Sequence, residues 1–451
     1  MNIRVGDTVK GEIIDFTHEG NGVMKIDNIP IFVCGGLIGD KVVAKIDEVK
    51  KSFALGSVVK IIEPSIDRVK LDFEVTEARG GIPLIEYNYT KQLEWKKHKV
   101  KMDLYKIAGL DDVVIKDTIG MEYPFRYRNH VQIPVGERNG KIVLGFYELN
   151  TNEIVDMKGT ILQPEVGNKV INIIRDWMRK YSIMPFDKRA KKGILRHIGI
   201  RTNKDNEVMV ILVTGTDKLP YSKELIDELI QEKVVSIYQN INKSNSPIVY
   251  GREYRLLYGR EKLIDYIGDY KFYLSPNSFF QVNRIQTEVL YKKAVEYLNL
   301  EANDIVCDLY CGIGTISLFI APHVKKVYGI EIVKEAIEDA KNNALVNDIH
   351  NAEFMVGKVE EVLPKLVKSG IESNKVVLDP PRKGCERGVL EALVKMLPEK
   401  IVYVSCNPST MARDVKYLVE NGYRVMEVQP VDMFPHTAHV ECCALIEKAE
   451  K

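Results

Sequence analysis

The stretch CDLYCGIGTISL, residues 307–318, reads as the end of a buried strand, a turn on two glycines and the start of a helix. Asp308 falls near the strand's end, and Gly312 and Gly314 fall in the turn, where glycine lets a ligand approach the backbone closely. Position 317 is Ser, so the dinucleotide pattern G-x-G-x-x-G is not met, and a nucleoside without a pyrophosphate suits the turn better. The same alternation continues downstream. DIVCDLY, KVYGIE, AEFMV, KVVLD, IVYVS, YRVMEVQ and VECCALIE read as strands, with helical segments between all but the last pair. That pattern predicts an α/β fold with a doubly wound parallel sheet, and the missing last helix leaves room for an antiparallel final strand. Ligands in such a sheet bind beyond the carboxyl ends of the strands. Glu331 and Asp379 end two of them, and an acid at the end of the second strand is placed to hydrogen-bond ribose hydroxyls.

The 451 residues are enough for roughly two to four domains. A hydrophobic content of 45% and a charged content of 28% are those of an ordinary soluble chain. The net charge of +1 singles out no partner, so any nucleic-acid surface must come from local clusters. The opening MNIRVGDTVKGEII lacks a signal peptide's apolar core, and no apolar run approaches the ~20 residues that span a bilayer, so no membrane association is expected. Seven cysteines, six of them after residue 300, make no disulfide framework, and a reducing cytoplasm is the expected setting. Nothing calls for an obligate protein partner.

Three regions follow from patterning. Residues 1–62 read as about five short strands with Gly-Asn-Gly and Gly-Gly turns, a small barrel of oligonucleotide-binding size. Residues 63–270 are mixed α+β, with a helix at TKQLEWKKHKVKMDLYKIAG that carries basic residues on one side, and with 240–271 as the best linker. Residues 271–451 hold the alternating sheet.

The strand IVYVS ends on Cys406, where Asn-Pro-Ser-Thr leads into a helix that Ser409 or Thr410 can cap. A structural thiol would sit more naturally inside the apolar run, whereas a thiol at a helix start has its thiolate favoured. The stretches SFFQVN, DLYCGIGT, LDPPRKG, VSCNPST and MFPHTAHVE resemble the RNA uracil-C5 methyltransferases, within the class I S-adenosylmethionine-dependent methyltransferases. The resemblance is close over the C-terminal 180 residues and looser in front, where the barrel resembles a TRAM domain. It implies a seven-stranded Rossmann-like sheet that takes S-adenosylmethionine, with Gln281, Tyr310, Glu331 and Asp379 contacting that cofactor. Pro380 and Pro381 would stiffen the loop that holds Asp379, and Arg382 and Lys383 could meet phosphate. Cys406 is then the nucleophile that adds to uracil C6, and Glu441 the base that removes the C5 proton, with His436 and His439 as local rivals.

The barrel in front resembles the ribosomal RNA branch, which makes 23S rRNA the leading substrate and tRNA the second. Many relatives hold an iron–sulfur cluster on four cysteines. Here those positions are Phe73, Arg79, Ile82 and, near the fourth, Gly159, so no cluster is expected. RNA contacts are expected at DKRAKKGILRHIGIRTN, through Lys188, Arg189, Lys191, Lys192, Arg196, His197 and Arg201. They are also expected at PFRYRNH, where Phe125 and Tyr127 interleave with Arg126 and Arg128. Two other classes remain: an amino-group methyltransferase, suggested by Asp379-Pro380-Pro381 although Arg382 replaces the aromatic residue it needs, and a non-catalytic RNA-binding assembly factor.

Overall fold

Alternation of apolar side chains builds the N-terminal barrel. In the strand Lys41–Val49, Val42, Ala44 and Ile46 point inward and the residues between them outward. Six strands form this sheet, the others being Thr8–Glu12, Asp15–Phe16, Gly22–Ile26, Ile29–Cys34 and Ala54–Glu63. One tight turn sets a register: Asp27 and Asn28 adopt φ of 49° and 64°, as a two-residue hairpin requires. The computed structural model describes residues 3–71, 81–148 and 151–449.

A second six-stranded sheet runs in the order Glu253–Gly259, Val234–Ile241, Val208–Thr214, Leu195–Thr202, His130–Arg138 and Lys141–Leu144. The helix Glu165–Lys180 covers one face with Val170, Ile171, Ile174 and Trp177, and the helix Ser222–Leu229 adds Leu225 and Leu229. On the opposite face Met209, Ile211 and Val213 join the core of the C-terminal unit. Leu195–Thr202 is therefore covered on both sides, and every residue in it is buried. This corrects the expected RNA cluster: Arg196, His197 and Arg201 are interior, and only Lys188, Arg189, Lys191 and Lys192 are exposed. Arg196 Nη1 donates to the carbonyls of Asn242 and Ser244. The stretch 240–271 is no linker either. It holds Glu253–Gly259 and most of the hairpin Leu263–Ile267/Tyr270–Leu274, whose Leu263, Ile267, Phe272 and Leu274 are buried.

The C-terminal sheet has eight strands: β1 (Val114–Ile115), β2 (Ile305–Leu309), β3 (Lys326–Glu331), β4 (Ala352–Val356), β5 (Lys375–Leu378), β6 (Lys400–Ser405), β7 (Tyr423–Val431) and β8 (Glu441–Lys448). Their order is β4-β3-β2-β5-β6-β8-β7-β1, and β8 alone runs against the rest, between β6 and β7. The seven strands read from the sequence are present. The eighth, β1, comes from far up the chain, and its two residues are too short to carry a period. The helix Tyr89–Asp103 comes with it and sends Val100 into the core on one face of the sheet.

That helix also pins the segment between β7 and β8. Lys96, on the basic side read from the sequence, is fully buried, and its Nζ donates to Asp432 Oδ1 (2.5 Å) and to the carbonyl of Phe434 (3.2 Å). Tyr89 donates its hydroxyl to the other oxygen of Asp432 (2.8 Å), and Gln92 accepts from the His436 backbone N–H (3.1 Å). Tyr127, Asn283 and Gln286 hold the carbonyls of Pro435, Met433 and Asp432. Removing one partner of a buried ion pair strands the other without compensation. Lys96→Ala is therefore expected to cost about 3–5 kcal/mol, read as a lower urea midpoint, and a midpoint equal to wild type would refute the clamp.

Candidate active site

The ends of neighbouring strands assemble the site. Leu309 lies opposite Ile330 and Leu378, so Tyr310, Glu331 and Asp379 stand together just at or beyond the carboxyl edge of β2, β3 and β5. Ser405 of β6 lies opposite Cys442 of β8. Because β8 is antiparallel, the next step of that ladder sets Cys406 beside Glu441. Glu331, Tyr310, Asp379, Cys406 and Glu441 thus form a row in strand order, with Asp308 buried just beneath it.

Local contacts hold the row. Tyr310 has φ of 68°, a strained value for a residue with a side chain, and its N–H donates to the Ile330 carbonyl (2.9 Å). Glu331 accepts from the Val333 N–H (2.9 Å), and Asp308 accepts from Ser317 Oγ (2.5 Å). The loop after Asp379 is fastened at Arg382, whose carbonyl accepts from Asn407 Nδ2 and Thr410 Oγ1 (3.2 Å each). The helix Pro408–Glu420 is capped by Asn407, which accepts from the Ser409 N–H (3.2 Å), rather than by Ser409 or Thr410. With Pro408 occupying the first helical position, the cap falls on the residue before it. Gln281 is buried, and Asn129 Nδ2 donates to its carbonyl (2.9 Å).

The row is rich in acid and short of positive charge. Burial lifts the Asp308 carboxyl to about 6 and, with Asp308 as neighbour, the Asp379 carboxyl to about 7. Burial and then Asp379 lift Glu441 to about 8, against the pull of Arg382. The Cys406 thiol is pushed up to about 11 by burial, then by Glu441 and Asp379, and Arg382 again opposes them. The rival bases move the other way: burial and nearby cations hold His436 near about 3 and His439 near about 4. Asp308 Oδ1 and Glu441 Oε2 are buried without a hydrogen-bond partner. Beside them Gly312, at φ 55°, has nothing within 4 Å of where a Cβ would stand. An open cradle edged by unneutralised carboxylates suits a nucleoside that carries a positive charge, and S-adenosylmethionine is one. Of the four residues expected to contact it, Tyr310, Glu331 and Asp379 stand together at this edge, and Gln281 is buried in the loop held by Asn129.

One neighbour, Phe279, has no role in the sequence reading, and a second, Arg382, has only that of a phosphate contact. Phe279 is 72% exposed although Phe280 and Gln281 beside it are buried. Arg382 faces the thiol and Glu441, and its Nη2 lies 3.3 Å from His439 Nδ1. The doubled Phe in SFFQ was the available signal for the first, and nothing local distinguishes the second from a phosphate contact. Of the four positions matched to an iron–sulfur site, Phe73 and Arg79 lie outside the described residues. Ile82 is buried with Ile85, Met121, Tyr127 and Leu162, and Gly159 packs against Asn168.

This sheet, cradle and row define an S-adenosylmethionine-dependent methyltransferase, and its N-terminal barrel gives it a module for RNA. The model of the tRNA (uracil-5-)-methyltransferase family matches residues 221–449, and the TRAM domain model matches residues 4–59. An uncharacterized RNA methyltransferase of Clostridium tetani is 48% identical over 431 residues, which is 95% of this chain and 94% of that one. One of Bacillus cereus is 45% identical over 440 residues, covering 97% and 96%. The solved tRNA (uracil-54, C5)-methyltransferase of Pyrococcus abyssi, in complex with S-adenosyl-L-homocysteine, is 30% identical with a TM-score of 0.77, over 97% of this chain and 100% of that one. The chain belongs to the tRNA (uracil-5-)-methyltransferase family of RNA methyltransferases, and its substrate is RNA. Among the described residues no group of side chains could hold a metal ion, and no helix is long and apolar enough to cross a membrane.

The raised acids make stability depend on pH. Asp308, Asp379 and Glu441 bind protons more tightly in the folded protein than in the unfolded chain, where they return to 3.8 and 4.5. The preference stabilises the fold fully below those values and is lost progressively as pH rises from them through the folded values of about 6 to 8. The melting temperature of the cofactor-free protein should fall across that window. Glu441→Gln, which cannot ionise, should fall less steeply, and identical slopes in thermal scans would contradict the assignment.

Proposed function

We propose that the protein methylates C5 of a uridine in 23S rRNA, through a covalent bond between Cys406 and uracil C6, with Glu441 as the base. One observation supports this reading: the antiparallel ladder ends on Ser405 opposite Cys442, one residue short of Cys406 and Glu441, and the Glu441 charge acts on the Cys406 thiol. Uracil C5 is too weak a nucleophile to take a methyl group unaided. Addition of the Cys406 thiolate to C6 pushes electrons into the ring and makes C5 an enolate carbon. Bound S-adenosylmethionine supplies the electrophilic methyl group. Glu441 then accepts the C5 proton, the C–H electrons re-form the C5–C6 double bond, and Cys406 leaves as thiolate. A carboxylate whose pKa lies near about 8 is a far stronger base than an ordinary one, and stronger than either neighbouring histidine. Arg382 and the Cys406 backbone N–H favour the thiolate, while burial, Glu441 and Asp379 oppose it.

The RNA side rests on exposed cations and rings. Lys188, Arg189, Lys191 and Lys192 project from one loop, and Arg126 lies next to Phe125. The target base must leave its stack to reach Cys406, and the exposed ring of Phe279, beside Gln281, offers a stacking face along the way. The barrel in front, a TRAM domain, supports RNA as the substrate class. A second reading, tRNA, is favoured by the Pyrococcus relative, which is named for uracil-54 of tRNA and is matched over its whole length. Seven free thiols and an RNA substrate support a reducing, cytoplasmic setting.

Cys406→Ala should abolish methylation and yield no adduct with 5-fluorouridine RNA and S-adenosylmethionine. Glu441→Gln should accumulate protein covalently joined to methylated RNA. Mapping 5-methyluridine in 23S rRNA and tRNA, from cells with and without the protein, decides the substrate. Methylation that survives Cys406→Ala would point to direct amino-group transfer instead.

A further inference from the structure

Arg201 lies 4% exposed in the middle of the protein, on the strand Leu195–Thr202, paired with His130 on one side and Met209 on the other. No carboxylate forms an ion pair with it among the described residues, and its Nε has no hydrogen-bond partner. Its polar neighbours are the phenols of Tyr250 and Tyr254, and His130 is itself engaged with the Tyr250 hydroxyl at 3.0 Å. What the guanidinium does hold is backbone. Nη2 donates to the carbonyl of Ser278 at 2.5 Å and reaches that of Pro276 at 3.4 Å.

Burying a charge without a counter-charge costs several kcal/mol, and a methionine would fill this space without that cost. The guanidinium gives in return a strong donor aimed at the loop that runs into Phe279 and Gln281. Asn129, on the same sheet, completes the grip. Its N–H donates to the carbonyl of Val282 (2.8 Å) and its Nδ2 to that of Gln281 (2.9 Å). From the other side, Asp339 accepts from Ser278 Oγ (2.8 Å). Residues 276–282 are thus stretched between the central sheet and the C-terminal unit, and they have no regular structure of their own.

We propose that Arg201 is a positioning residue: it fixes the loop 276–281 from the central sheet so that the loop's side chains meet the cofactor. This rests on the reading of Gln281 as a cofactor contact. The charge is kept at the expense of fold stability because a charged donor holds those carbonyls more strongly than a neutral one. Arg201 acts through the loop and touches no reacting atom.

The test is binding of S-adenosylhomocysteine to the full-length protein by calorimetry without RNA, alongside thermal unfolding. Arg201→Met should weaken binding about tenfold, the worth of a charged hydrogen bond, while the melting temperature stays level or rises as the unpaired charge is removed. Gln281→Ala should weaken binding too, and the double variant should be little worse than either single one, because both act through one loop. Wild-type affinity in Arg201→Met, or fully additive losses, would overturn the proposal. Weakened binding in Arg201→Met beside a silent Gln281→Ala would remove Gln281 from the cofactor site and leave Arg201 positioning the loop for its other side chains. Should Arg201→Met fail to fold, Arg201→Lys, with one ammonium in place of the fork, is judged by the same criterion.

Discussion

One reversed strand organises the chemistry. In a sheet whose strands all ran the same way, every strand would begin at the edge far from the ligand, and only strand ends could supply functional groups. β8 runs the other way, between β6 and β7, so its first residue lies at the edge where β6 stops. A thiol just past a strand's end and a carboxyl at a strand's start thereby become neighbours, next to a ladder whose last step pairs Ser405 with Cys442. The ladder is also a register constraint: a one-residue slip of β8 would turn Glu441 to the opposite face and present Cys442 in its place. The buried Val440 and Cys442 on either side of Glu441 hold it against that slip.

The segment that delivers β8 bears the cost of this arrangement. Glu441 stays in position because the residues before it are held by groups from distant parts of the chain: Lys96 and Tyr89 on Asp432, Gln92 on His436, Tyr127 on Pro435. Phe16 and Leu37 of the barrel also cluster with Ala438 of this segment. The same packing keeps water from the acids, and that is why Asp379 and Glu441 hold protons well above the ordinary carboxylate range. A row of raised acids is unstable by itself and becomes favourable when a cation enters it, which matches a cofactor whose reactive centre is positively charged.

What could be read from the sequence follows from the range of the interactions. The seven longer strands of the C-terminal sheet, its Gly312–Gly314 turn and its reversed final strand are local patterns, each visible within a few residues. So was the placement of Cys406, because a thiol between an apolar run and an Asn-Pro pair is a local oddity. Residues whose meaning depends on distant partners were misread. Arg196, His197 and Arg201 looked like an RNA-facing cluster, since charge suggests exposure, and nothing nearby shows that helices and a second domain cover both faces of their strand. Lys96 looked like one more surface lysine until Asp432, 336 residues away, supplied its partner. The hairpin at 263–274 was lost for the opposite reason: its strands are too short for alternation to stand out from a linker.

The burial of Arg201 changes how the two larger units relate. A separate RNA-binding domain would present its basic strand to solvent and meet the other unit along a polar seam. Here the strand Val208–Thr214 sends Met209, Ile211 and Val213 into the other unit's core, and Asn129 and Arg201 grip the loop that carries Gln281. Arg126 and Arg128, placed by their sequence for RNA, lie within three residues of that grip. Any displacement of that segment by bound RNA must therefore be felt at Gln281, since Asn129 is hydrogen-bonded to the loop on one side and accepts from the Thr202 N–H on the other. The central sheet is better understood as a wall built into the C-terminal unit than as an appendage, and a buried unpaired guanidinium is the cost of holding that wall to the loop.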